Sequence, residues 1–187
     1  MIEPDPDAAD LAALNASSAA TPAAAAAILA PLFEGAPRFL ARLVAARPFA
    51  DWGDLFEAAR RIAHEMPEAE QVELVDAHPR LGAPPGTVSA LSHREQGYDR
   101  PPGPVPADGT DVAAELARLN AAYEARFGFR YCVFVAGRPR QALLPGMVAA
   151  LTATREAELH RALDAVVDIA AARHAMARVE ALRTAAG

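Results

Sequence analysis

The stretch TREAELHRALDAVVDIAAARHAMARVEALR, Thr154 to Arg183, reads as one long helix. Leu159, Leu163, Val166 and Ala170 recur at helical spacing and form an apolar stripe, and the next position on that stripe is Arg173. The periodicity therefore aims a guanidinium inward, whereas Arg161 and Arg178 lie well over a quarter-turn away, where both reach water. An unpaired buried guanidinium is costly, so Arg173 calls for a buried carboxylate or an anionic ligand. A structural ion pair, or a side chain snorkelling past the stripe, is the plainer of the possible readings.

Shorter helices precede this one. Thr21-Pro22 reads as a cap and first residue of an alanine helix ending near Pro31, and Pro37 opens a second helix to about Arg47. Asp51 caps a third, to about Glu65, and Pro67 opens a fourth, through about Ala77. Thr110 caps a further helix whose Val112, Leu116, Leu119 and Tyr123 share one face, ending at Phe127-Gly128. A short helix interrupted near Pro145-Gly146 leads into the last.

Two segments depart from this pattern. Between His78 and Gly109 prolines and glycines break any long element, but Leu81, Val88, Leu91 and the polar string Ser92-His93-Arg94-Glu95-Gln96 mark a structured, functional segment around one short helix. Residues 98–109 are expected to be a mobile loop with its tip at 100–107, and residues 1–20 to be partly flexible. Phe129 to Val135 is the only run of strand-like composition, and alone it makes an extended core segment or a buried helix. The expected architecture is a single-domain, all-α helical bundle over 1–187, with a loop-rich middle and one short extended apolar segment.

Composition agrees. The chain has 187 residues, about one domain's worth, and 48 of them are Ala, half of the 52% hydrophobic fraction; 6% are aromatic. That balance favours packed helices over a sandwich or barrel. Lys is absent, and 18 Arg against 24 acids leave a net charge of -6. An acidic chain whose first 37 residues lack any base repels phosphate backbones, which argues against nucleic acid and against a helix-turn-helix regulator with a basic N-terminal reading helix. Cys132 has no partner for a disulfide, and the acidic N-terminus lacks the pattern of a signal peptide. No stretch is long and apolar enough to span a bilayer. A cytoplasmic location, with no membrane association, is the expectation.

Three groups could carry chemistry. His78-Pro79 places an imidazole on a rigid loop past a helix end, suited to acid or base work or simply to the helix dipole. Ser92, Glu95 and Gln96 share one helical face and suit a small amide-like or urea-like ligand, although Ser92-His93-Arg94-Glu95 also reads as a capping box. The third is Arg173. His64, His93, His160 and His174 show no metal-ligand spacing and read as surface or helix-end residues; Cys132 reads as a small core residue. No metal site and no dinucleotide or P-loop motif is visible.

The order and spacing of several motifs resemble one family, the 2-oxo-4-hydroxy-4-carboxy-5-ureidoimidazoline (OHCU) decarboxylases of urate breakdown. They are Arg47-Pro48-Phe49, Ala77-His78-Pro79-Arg80-Leu81-Gly82, Leu91-Ser92-His93-Arg94-Glu95-Gln96, Leu119-Asn120-Ala121-Ala122-Tyr123, Arg126-Phe127-Gly128-Phe129 and the inward Arg173. The resemblance implies an all-helical, cofactor-free enzyme, usually a homodimer, that converts a small ureidoimidazoline to (S)-allantoin. It implies His78 as catalytic acid or base with Glu95 orienting it. It also implies Pro79, Ser92, Gln96 and Arg173 as substrate-binding residues, with the backbone of Tyr131, Cys132, Val133, Phe134 and Val135 lining the site. A non-catalytic helical binding module with the same fold is the rival reading.

Overall fold

The computed structural model describes residues 6–16, 22–99 and 109–185, and among these there is no strand. The helices are α1 (Pro6–Ala16), α2 (Pro22–Leu29), α3 (Pro37–Ala45), α4 (Trp52–Glu65), α5 (Glu68–Asp76), α6 (Ala90–Glu95), α7 (Val112–Phe127), α8 (Leu144–Ala150) and α9 (Arg155–Ala185), with 3₁₀ turns at Pro85–Thr87 and Arg140–Leu143. The all-α architecture is as the sequence indicates.

α9 is the axis. Its 31 residues span about 46 Å, and α1, α4 and α5 pack along it while α2 and α3 pair beside them. Its inward face is broader than the stripe read from the sequence. It buries Glu158, Leu159, Ala162, Leu163, Ala165, Val166, Val167, Ile169, Ala170 and Arg173. Alanine at three of those positions lets neighbouring backbones approach closely, so a chain poor in large side chains still closes its core.

Local signals set most boundaries. Asp51 caps α4 by accepting from Asp54 N at 2.8 Å, Pro37 sits in the first turn of α3, and Gly128, at φ +78°, ends α7 in the left-handed conformation. Several expectations shift. Asp111, not Thr110, caps α7, its carboxylate reaching the N–H groups of Ala113 and Ala114. Pro67 is the cap of α5 rather than its first residue. Pro145 lies in the first turn of α8 and does not interrupt it, because a proline there forfeits no intrahelical bond. Of residues 1–20, 6–16 form α1, which the sequence reading had not assigned; Asn15 clasps it to the α3–α4 turn, donating to Phe49 O and accepting from Phe49 N. The tip at 100–107 lies outside the described residues.

Phe129 to Val135 is neither helix nor paired strand, which removes the buried helix from the two forms expected for it. Aromatic packing holds its start: Tyr123 of α7 has Phe127, Phe129 and Tyr131 around it at centroid distances of 4.6, 5.7 and 5.1 Å.

Candidate active site

α5 ends at Asp76, and the chain turns through His78-Pro79 with its backbone clamped by Arg130. Arg130 Nη1 donates to Asp76 O at 2.6 Å and to His78 O at 3.0 Å, and its own N–H donates to Asp76 Oδ1. His78 is thereby held 4% exposed. Its Nδ1 lies 3.4 Å from Leu74 O, and Nε2 has no partner among the described residues. Burial, reinforced by the Arg173 charge and opposed by Glu34, holds its pKa down at about 4. The imidazole is neutral at physiological pH, and with Nδ1 carrying the proton toward Leu74, Nε2 presents a lone pair.

His78 lines a cavity of about 330 Å³ together with Pro79, Ser92, Glu95, Gln96, the whole segment Tyr131 to Val135, and Ile169, Ala172 and Met176 of α9. Every residue that the sequence placed in the site thus lines this one cavity, except Arg173. The segment contributes its backbone: none of the N–H groups from Tyr131 to Val135 donates to an acceptor among the described residues, so those on its cavity side are available to ligand oxygens. Burial pushes the Cys132 thiol up to about 12, so it is an inert part of the wall.

Arg173 lies behind the wall, its side chain 1% exposed. Nε and Nη2 grip Glu95 at 2.6 and 2.8 Å, Nη2 also reaches Glu34 at 2.7 Å and Ser92 Oγ at 3.1 Å, and Nη1 donates to the carbonyls of Pro31 and Leu32. Desolvation alone would lower the guanidinium's pKa, but the bonds and charges of Glu95 and Glu34 outweigh it and raise it. Two protein carboxylates thus neutralise this charge, the buried carboxylate partner that the sequence left open beside an anionic ligand. Two related expectations change. Glu95 is oriented by Arg173 and makes no hydrogen bond to His78. Ser92 and Glu95 form no capping box, because Ser89 is the cap of α6 and accepts from Ser92 N.

Gln96 has a double task. Its Oε1 accepts from Gly82 N at 2.7 Å and its Nε2 donates to Arg80 O at 3.2 Å, so it fastens the loop after His78 while lining the cavity.

Sequence reasoning missed two acids. Glu34 joins Arg173, Ser92 and Ser89 from the turn after α2; the one local signal is an acid set between buried Leu32-Phe33 and the Gly35-Ala36-Pro37 break. Glu158, 4% exposed, accepts from Tyr123 OH and from Arg161. Arg161 was expected to reach water, and it keeps part of its side chain exposed, but its guanidinium turns inward. It lies 4.7 Å from the Tyr131 ring and donates to Cys132 O. The other histidines sit on helix surfaces: His64 pairs with Asp164 at 2.9 Å, His160 lies edge-on to His64, and His174 stacks on Trp52. Among the described residues no group of three His, Cys, Asp or Glu is arranged to hold a metal ion, and no helix is long and apolar enough to cross a membrane.

A preformed, largely apolar cavity with one neutral imidazole whose Nε2 has no partner among the described residues, one ion-paired carboxylate and a backbone segment with unused N–H groups defines a small-molecule enzyme built on a helical scaffold. The OHCU decarboxylase family matches residues 18–175, and the chain belongs to it. It is 30% identical over 143 residues to a human putative 2-oxo-4-hydroxy-4-carboxy-5-ureidoimidazoline decarboxylase, covering 75% of this chain and 80% of that protein. It is 32% identical over 142 residues to the uric acid degradation bifunctional protein PucL of Bacillus subtilis (strain 168), a match to 76% of this chain and 28% of that longer protein. A crystal structure of an OHCU decarboxylase in the presence of (S)-allantoin shares the fold, with TM-score 0.60 and 20% identity over 78% of this chain and 93% of that one.

Proposed function

We propose that this chain decarboxylates OHCU to (S)-allantoin in urate catabolism, without a cofactor. The observation that carries the reading is neutral His78, its Nε2 buried without a partner among the described residues, on the wall of a cavity that Glu95, Ser92 and the Tyr131 to Val135 segment also line. The substrate supplies its own electron sink. As the bond to the carboxylate breaks and CO2 leaves, the electron pair passes into the ring carbon–carbon bond and onto the adjacent imine nitrogen, which takes a proton. The resulting enol loses its hydroxyl proton to become a carbonyl, and the former imine carbon gains a proton to become the stereocentre.

His78 Nε2 accepts the hydroxyl proton and returns it to carbon from one face. An imidazolium in so dry a site is a strong acid, which favours the return. Ser92, Gln96 and the Tyr131 to Val135 backbone hold the ureido and ring amides, and closure by apolar walls keeps water from intercepting the intermediate.

The same reading places the enzyme in the cytoplasm as a homodimer. Met176, Val179 and Leu182, at three-residue steps on α9 and 41–50% exposed, support a self-association surface; light scattering tests it by mass. The decisive test of function supplies freshly generated OHCU and follows allantoin by circular dichroism. One enantiomer should form rapidly, with activity unchanged in EDTA. No acceleration over the spontaneous reaction would favour the non-catalytic binding module.

A further inference from the structure

Glu34 lies in the turn between α2 and α3 and does not line the cavity, yet its Oε1 is the meeting point of three donors. Ser92 Oγ lies 2.7 Å away, Ser89 Oγ 2.8 Å and Arg173 Nη2 2.7 Å. The residue holds φ +52°, a left-handed conformation that a side chain with a Cβ adopts only when its surroundings impose it. Burial alone would raise its pKa, but the Ser92, Arg173 and Ser89 partners outweigh burial and lower it. Glu34 is thus an ionised, acceptor-only group.

Proton counting at Ser92 shows what this achieves. A serine hydroxyl has one proton and two lone pairs. An ionised carboxylate gives no proton, so the Ser92 proton is committed to Glu34; the two N–H bonds of Arg173 Nη2 serve Glu34 and Glu95, and its 3.1 Å approach to Ser92 Oγ is at most a shared contact. Ser92 is left with acceptor capacity alone, and it lines the cavity.

We propose that Glu34 is a positioning residue which, acting through Ser92, makes this wall of the site select ligand N–H groups over carbonyl groups. The inference rests on the decarboxylase reading and refines it. The N–H edge of the ureido or ring amide faces Ser92, and the ligand's carbonyl oxygens fall to the backbone N–H groups of Tyr131 to Val135.

Glu34→Gln tests it, because a neutral amide oxygen accepts more weakly than a carboxylate at the point where the three donors meet, which loosens the hold on the Ser92 hydroxyl proton. Wild type, Glu34→Gln, Ser92→Ala and the double variant are compared by kcat and KM on fresh OHCU and by calorimetric Kd for (S)-allantoin. Each single variant should weaken allantoin binding and lower kcat/KM by about tenfold. The double should lose no more than about twofold beyond Ser92→Ala, since Glu34 acts through that hydroxyl. Losses that multiply, or a Glu34→Gln Kd equal to wild type, would overturn the proposal.

Hydantoin and 1,3-dimethylhydantoin provide a second measurement that does not depend on Glu34→Gln folding. Wild type should prefer the N–H form by about fivefold or more, and Ser92→Ala should erase the preference. Equal affinities in wild type would overturn the proposal. Selective binding of hydantoin without OHCU turnover would instead sink the decarboxylase reading and leave the polarity of Ser92 standing.

Discussion

Arg173 and Glu95 meet edge to edge, Nε to Oε1 at 2.6 Å and Nη2 to Oε2 at 2.8 Å, and the pair ties the middle of α9 to the short helix that carries the polar face of the cavity. A six-residue helix is not stable by itself, so α6 takes its position from this ion pair. Arg173→Ala would leave two acids with no cation and should cost about 3–5 kcal/mol in urea unfolding. Arg173→Lys keeps the charge but loses the two-point grip; it should fold, and lower kcat while leaving allantoin affinity nearly intact. A Lys variant with wild-type kcat would show that Glu95 needs no orientation.

His78 predicts a pH dependence of stability. Its folded-state pKa of about 4 lies below the ordinary 6.5, so between those values the unfolded chain binds a proton that the folded chain refuses. Stability therefore falls as pH drops from about 6.5 to 4, by roughly 3 kcal/mol for this group, and its contribution levels off below 4. Glu34, whose pKa is depressed, loses its stabilisation in the lower window as pH falls below 4.5. Urea midpoints of His78→Gln should show a shallower slope between pH 6.5 and 4.5 than wild type, and its activity should fall by about 10²–10⁴. Identical slopes would mean that His78 is protonated in the folded protein.

The segment Phe129 to Val135 is held from the N-terminal part of α9. Arg161→Ala removes the donor to Cys132 O, the cation over Tyr131 and the partner of buried Glu158 at once. The loss should reach about 3 kcal/mol, and in the surviving folded enzyme KM should rise more than kcat falls. Steady-state kinetics with thermal unfolding would check both; an unchanged KM would detach the segment from substrate binding.

Gly82 holds φ +80°, and a Cβ there would lie 2.9 Å from Leu116 Cδ1. Gly82→Ala should therefore cost about 1–3 kcal/mol and disturb the loop that Gln96 fastens. Gln96→Ala should leave the fold intact while hydrogen exchange at Gly82 N rises, since that group loses its acceptor. Unchanged protection would mean that the loop is held elsewhere.

Much of this site was legible before any coordinates. Proline placement, Asp51 and the period of α9 bounded most helices, and the motifs around His78 and Ser92 named most of the residues that line the cavity. What periodicity could not reveal was pairing across the chain. Glu34 and Arg173 are 139 residues apart, and no local pattern shows that an acid in a turn answers a base on a distant helix. Glu158 escaped for a related reason: beside Leu159 on a charged first turn it reads as a solvated acid favourable to the helix dipole, and only the fold shows Tyr123 and Arg161 closing over it. Gln96 was read as a ligand for the substrate because its role in the loop depends on Gly82 and Arg80, which approach it only after the chain turns back.

Glu158 and Arg173 sit at the two ends of the inward face of α9, fifteen residues and about 22 Å apart along one uninterrupted rod. One end grips the backbone-donor wall through Arg161, and the other grips α6 and the turn of Glu34. The phase between the two walls is thus written into the residue count of that helix. Inserting a single residue between them turns one end by 100° against the other and must unfasten one wall, whatever residue is added. Homologous chains can exchange side chains along this interval but should hold its length fixed.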